Sequence, residues 1–211
     1  MPIKCLILDY GGVYSYKYVA GSFNDALAVS TGHNAMKFDP RLIEADVDAL
    51  GMGKIDSREF LRRVGRRLNV DKPIDRRRFE TAVVAGTHMP DPTLTEMVRD
   101  LRSRGVKVGL LSDMSTFELN ATRPTGRFEG FDFTYFSSEI GYTKRWKECF
   151  AYVLSLEDLE PSMTLFVDDS ARNSAIAREV GIQVLHAKKS KYTTAESLAV
   201  EILRRVSAST S

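Results

Sequence analysis

The chain has 211 residues, 43% apolar and 27% charged, enough for a sizeable core in one domain or one domain carrying an insertion. No apolar run approaches the ~20 residues that cross a bilayer. Lys4 and Asp9 bracket an amino-terminal stretch too short for a signal-peptide centre, and Cys5 and Cys149 alone make no disulfide framework, so a cytoplasmic protein without a membrane partner is expected. The net charge of +2 is uneven: between Lys54 and Arg78 ten Lys/Arg face four Asp/Glu. Arginines there alternate with apolar helix positions, which predicts a solvated helix face rather than a nucleic-acid surface, with a contribution to drawing in anionic substrates.

In chain order, residues 3–8 form an apolar run that predicts a strand buried on both faces, as in a parallel sheet. Residues 14–89 contain no convincing strand. Phe60, Leu61, Val64 and Leu68 share one face of a helix whose remainder carries Arg62, Arg63, Arg66 and Arg67; 41–50 and 76–85 also read as helices, separated by breaks such as Gly51-Met52-Gly53 and Asp71-Lys72-Pro73. This stretch is expected to be an all-helical insertion. Regular α/β alternation follows. Asp91-Pro92 reads as an N-cap with proline at the first helical position, Leu94, Met97, Val98 and Leu101 as an apolar helix face, and Gly105 as its stop. Strands are predicted at 106–111, 133–136, 164–167 and 182–185, with helices from about 145, at 171–180 and at 195–206; the last five residues, rich in Ser and Thr, read as disordered. The expected fold is α/β, a three-layer doubly wound, mainly parallel sheet with residues 3–8 near its middle, built from 1–14 and 90–211, with 15–89 as a helical cap.

Two of the predicted strands end abruptly in carboxylate, Asp9 after the first and Asp168-Asp169 after 164–167. In open α/β sheets such ends project into the ligand-binding crevice. Three carboxylates gathered there repel one another unless a cation sits between them, and a hard divalent ion with oxygen ligands, Mg²⁺, is the natural resident.

The ordered set Asp9-Tyr10-Gly11-Gly12-Val13, Leu110-Leu111-Ser112-Asp113, Gly141-Tyr142-Thr143-Lys144 and Val167-Asp168-Asp169 with Asn173 resembles the haloacid dehalogenase-like hydrolase superfamily over the whole chain. The resemblance implies an Mg²⁺-dependent phosphatase acting on a small phosphorylated metabolite, such as a sugar phosphate. Asp9 would be the nucleophile that forms an aspartyl-phosphate. Asp9, the Gly11 carbonyl, Asp168 and Asp169 would hold the metal. Ser112, Asp113 and Gly12 would lie at the phosphoryl group, Lys144 would neutralise charge on Asp9 and on that group, and Asn173 would orient Lys144 or Asp169.

The sequence departs from the family pattern twice. Gly11 stands where most of these phosphatases carry a second aspartate, the general acid/base whose loss costs ~10²–10⁴ in rate; a subset resembling bacterial sugar-phosphate phosphatases shares the glycine and a stretch similar to residues 53–60. Arg145 stands where proline usually follows the motif lysine; it is read as surface, with substrate charge recognition as the alternative. Two alternatives stay open: a binding or regulatory protein that lost turnover through Gly11, and a 2-haloacid dehalogenase, disfavoured because such enzymes need no metal. His33, His88 and His186 have no zinc-like spacing, although His88 and Met89 lie near the expected hinge. The substrate's identity and the oligomeric state are not readable from one sequence.

Overall fold

The computed structural model describes residues 2–16, 22–31, 39–70 and 73–207, so the expectations for His33 and for 208–211 lie outside the described residues. Strand β1 (Cys5–Leu8) is apolar throughout because both faces are covered. Leu6 and Leu8 enter one core cluster, Cys5 and Ile7 another. Helices α1 (Ser22–Thr31), α2 (Glu44–Gly51), α3 (Ser57–Arg67) and α4 (Arg76–Gly86) follow. Then come α5 (Pro92–Ser103), β2 (Lys107–Ser112), α6 (Thr116–Thr122), β3 (Phe133–Phe136), the short α7 (Ser137–Ile140), α8 (Lys147–Leu156), β4 (Thr164–Asp168), α9 (Ala171–Glu179), β5 (Gln183–His186) and α10 (Ala195–Ser207).

The described strands form one sheet in the order β3-β2-β1-β4-β5, every pair parallel. Apolar residues of α5 and α10 pack with Leu6, Leu8, Val108 and Val167 on one face, and those of α8 and α9 with Ile7, Leu111 and Phe166 on the other. The chain reverses its winding direction at β1, which sits between β2 and β4. The carboxyl ends of these three strands therefore flank the switch point where open α/β sheets bind ligands.

Helices α1 to α4 bury a cluster of their own, with Phe60, Leu61 and Val64 of α3 against Leu27, Leu50, Phe79 and Val83. Asp56 and Asp75 cap α3 and α4 by accepting the N–H of Glu59 and Arg78. The arginine-rich face of α3 is partly neutralised within the chain: Arg62 and Arg63 pair with Glu59, and Arg67 with the buried Asp46 of α2 at 2.5 Å.

Several element bounds differ from the sequence reading. β1 begins at Cys5 rather than at residue 3, β2 extends to Ser112, and β5 spans 183–186. The helix expected over 41–50 is split into a 3₁₀ turn at Pro40–Leu42 and α2 from Glu44. The helix expected from about 145 starts at Lys147, because Trp146 donates its N–H to the Thr143 carbonyl in a turn around Lys144. Helix α6, absent from the reading, closes the segment after β2. Phe60 is fully buried, stacked on Phe79 at 5.6 Å and edge-on to Phe23 at 5.4 Å. Phe60→Ala should therefore lower unfolding free energy by about 3–5 kcal/mol, measured by chemical denaturation.

Candidate active site

Parallel pairing of Leu8 with Val167 brings the ends of β1 and β4 side by side, and the Asp9 N–H continues the ladder to the Val167 carbonyl at 2.9 Å. Asp9, Asp168 and Asp169 each contribute an oxygen to a group whose members lie within 4.8 Å of one another. Lys144, whose side chain is 2% exposed, reaches both strand ends: Nζ lies 2.5 Å from Asp9 Oδ1 and 2.9 Å from Asp168 Oδ2. The backbone N–H of Lys144 is held by Asp113 Oδ1 at 3.0 Å, which fixes the loop that delivers the ammonium. Asp9 Oδ1 also accepts the Tyr10 N–H at 2.7 Å. Asp168 accepts the Ser170 N–H on one oxygen and the Asn173 amide on the other. Asn173 therefore serves Asp168, rather than Lys144 or Asp169 as the sequence suggested. His186 Nε2 lies 2.9 Å from the Asp169 carbonyl oxygen, a contact in which the ring must donate.

Burial pushes the Asp9 carboxyl well above the usual range, with Lys144 pulling the other way and Asp168 adding to the rise. Burial alone would lower the Lys144 ammonium, yet Asp168, Asp9 and Asp113 together hold it well above its ordinary value. Asp169 is raised by burial and by Asp168. The donor set is entirely carboxylate and suits a hard cation. Gly12 makes this packing possible: its φ of 78° is left-handed, and a Cβ there would stand 2.2 Å from Asp169 Oδ2. Its N–H is directed to the Ser15 carbonyl at 3.2 Å, so the phosphoryl contact expected of Gly12 has no donor in this geometry.

A cavity of about 250 Å³ opens on the group and is lined by Asp9, Gly11, Ser112, Asp113, Lys144, Asp169 and Asn173, with Thr87 and Glu118 among its other walls. Neither His88 nor Met89 lines it. The His88 carbonyl instead accepts the Tyr10 and Ser15 hydroxyls, which ties the end of the helical segment to the loop after β1. Arg145 is no surface bystander: it pairs with Glu44 at 2.9 Å and Asp48 at 3.3 Å, linking the Lys144 loop to α2. The sequence reading missed Glu118, although Ser115 and Glu118 form the Ser-x-x-Glu pattern of a capping box, a signal that marks α6. Both cysteines are buried and free, and burial raises the Cys5 thiol to about 12.

A family model described as haloacid dehalogenase-like hydrolase matches residues 3–181. A sesquiterpene phosphatase, astK, of Aspergillus oryzae is 30% identical over 112 residues, 53% of this chain and 57% of that protein; the match spans little more than half the length of this relative. Among solved structures, a HAD family enzyme from Bacteroides thetaiotaomicron in complex with magnesium and inorganic phosphate superposes with a TM-score of 0.64 at 21% identity, covering 87% of this chain and 93% of that one. A "predicted HAD-like family hydrolase" from Porphyromonas gingivalis superposes with a TM-score of 0.67 at 22% identity, covering 88% and 91%.

Lys144→Met leaves Asp9 and Asp168 buried without a counter-charge and should cost about 3–5 kcal/mol near neutral pH. Without Lys144, burial, Asp168 and Asp169 push the folded-state pKa of Asp9 up against only the Tyr10 N–H bond, so ionisation opposes folding as pH rises. The deficit should shrink as pH falls through the raised folded-state pKa and vanish only below the unfolded-state value of about 3.9, where the carboxyl is protonated in both states, as denaturation curves against pH would measure.

Proposed function

The chain belongs to the haloacid dehalogenase-like hydrolases, and on that footing we propose that it is an Mg²⁺-dependent phosphatase that releases phosphate from a small phosphomonoester through an aspartyl-phosphate on Asp9. The observation that carries this reading is the gathering of Asp9, Asp168 and Asp169 around one point, with Lys144 buried against two of them. An all-oxygen donor set fits Mg²⁺, held by the three carboxylates with the Gly11 carbonyl, and the Bacteroides enzyme carries magnesium together with phosphate. When bound, the ion offsets repulsion between the carboxylates and the phosphoryl oxygens.

The chain's own groups do the rest. Asp9 attacks phosphorus, its rotamer set by the Tyr10 N–H and by Lys144. Lys144 stays protonated and balances the charge that gathers as the phosphoryl group transfers. Ser112, on the cavity wall at the end of β2, donates its hydroxyl to a phosphoryl oxygen. Asp113 positions Lys144 through the backbone bond, and Asn173 positions Asp168. Water then attacks the aspartyl-phosphate and frees Asp9. Residues 15–89 act as a cap that closes the cavity and selects the leaving group.

A second reading of the substrate, an apolar alcohol phosphate rather than a sugar phosphate, is favoured by one observation. An adjoining cavity of about 160 Å³ has an apolar side, Phe23, Val47 and Leu50 of the helical segment with Met114, that faces polar walls including Asp48, Asp113, Glu118, Thr143 and Arg145. The Aspergillus relative is named for a sesquiterpene. Phosphate release from a panel of sugar and isoprenyl monophosphates, with Mg²⁺ and after chelation, separates these substrates. Release should require the metal and fall to background in Asp9→Asn, since an amide cannot form the acyl phosphate. Wild type that releases no phosphate, with Asp9→Asn binding the same ligands equally well, would leave only a binding role.

A further inference from the structure

Gly11 leaves the proposed reaction without the acid that most relatives carry two residues after the nucleophile, so the departing alkoxide needs a proton from elsewhere. In-line displacement at phosphorus places the leaving oxygen opposite the attacking Asp9 oxygen. The cavity that holds Asp9 meets the second cavity, beneath α1 and α2, through three shared wall residues: Asp113, Met114 and Glu118. The leaving alcohol has room in that second space, and the bond to be broken then lies at the junction. We propose that Glu118 is the general acid and base of this enzyme, replacing the missing carboxylate from a different element, helix α6. The inference rests on the phosphatase reading above and names a catalytic residue within it.

The geometry suits the task. Glu118 is part-buried at the third position of α6, where Oε2 accepts the Ser115 N–H at 3.1 Å and the Ser115 hydroxyl at 2.6 Å. Among the described residues nothing hydrogen-bonds Oε1, which leaves one oxygen of a fixed carboxyl free to carry a proton. Burial raises the Glu118 pKa, opposed only in part by the Ser115 bonds. Asp113 shares the junction and burial raises its carboxyl too, but the Lys144 ammonium opposes that rise and its Oδ1 is committed to the Lys144 backbone N–H. In the first step the Asp9–phosphorus bond forms and the phosphorus–alkoxide bond breaks, while the Glu118 proton moves to the alkoxide oxygen. In the second, Glu118 carboxylate takes a proton from water as the water oxygen bonds phosphorus and the Asp9–phosphorus bond breaks. The acid is thereby restored, and an alcohol and inorganic phosphate are released.

A capping box accepts glutamine at its third position as well as glutamate, so Glu118→Gln removes the proton and keeps the cap. The test measures kcat/KM, which reports aspartyl-phosphate formation, for full-length wild type and Glu118→Gln with Mg²⁺ on aryl and alkyl phosphates of rising leaving-group pKa. On alkyl phosphates the variant should lose about 10²–10⁴-fold. On p-nitrophenyl phosphate, whose leaving group needs no proton, it should stay within about tenfold of wild type and give a burst of p-nitrophenol before slow turnover. Ser115→Ala, which disturbs the cap and spares the acid, should keep a shallow dependence on leaving-group pKa. Equal loss on all substrates in Glu118→Gln, or no loss on any, overturns the assignment while leaving the phosphatase reading intact. If wild type releases no phosphate even from p-nitrophenyl phosphate, the phosphatase reading falls and this assignment with it.

Discussion

A buried ammonium between two strand-end carboxylates is the interaction on which the rest of the site depends. Parallel pairing of β1 with β4 places Asp9 beside Asp168 whatever follows, and the third carboxylate, Asp169, comes with the same turn. Such a cluster is costly inside a protein unless it is compensated. Lys144 supplies one positive charge from the loop after α7, at 2.5 and 2.9 Å from its two partners. Placing it requires Asp113 to hold the Lys144 backbone and the chain to delay α8 until Lys147. One lysine faces three carboxylates, so with all three ionised the group stays net negative, a charge that suits the divalent cation proposed for it.

Much of the core was legible because each piece has a local cause. The strands read as apolar runs because a parallel sheet covered on both faces has no solvated side. Asp9 and Asp168 stood out because charge follows such a run without transition. α5 announced itself through Asp91, Pro92 and a spaced apolar face, all as found. What sequence could not give lies in contacts between distant elements. Arg145 looked like surface because its partners, Glu44 and Asp48, stand about a hundred residues upstream. Asn173 was assigned to the wrong neighbour because Asp168 and Asp169 are adjacent in sequence, and only the backbone at the end of β4 decides which carboxylate turns toward α9.

Helix α6 was missed for a different reason. Its seven residues are too short for a helical period to emerge, and four of them are polar or acidic. Its one clear local signal is the Ser115–Glu118 capping pattern, which indicates a helix start and is silent on where the glutamate faces. The fold gives the cap residue a second surface by placing α6 directly after β2, at the mouth of the sheet.

The same helix is gripped from both sides. Leu119 is buried in the cluster that covers the sheet, whereas Phe117 packs against the cluster of α1 to α4 and lies 5.9 Å from the Phe79 ring. Glu118, between these two anchors, has its position set jointly by the sheet and by the helical segment. A carboxylate two residues after Asp9 would sit on the same loop as the nucleophile, directly after β1, and keep a nearly fixed distance to it. One on α6 keeps that distance only while both clusters hold it, so proton supply at the cavity is tied to how the helical segment is seated over the sheet.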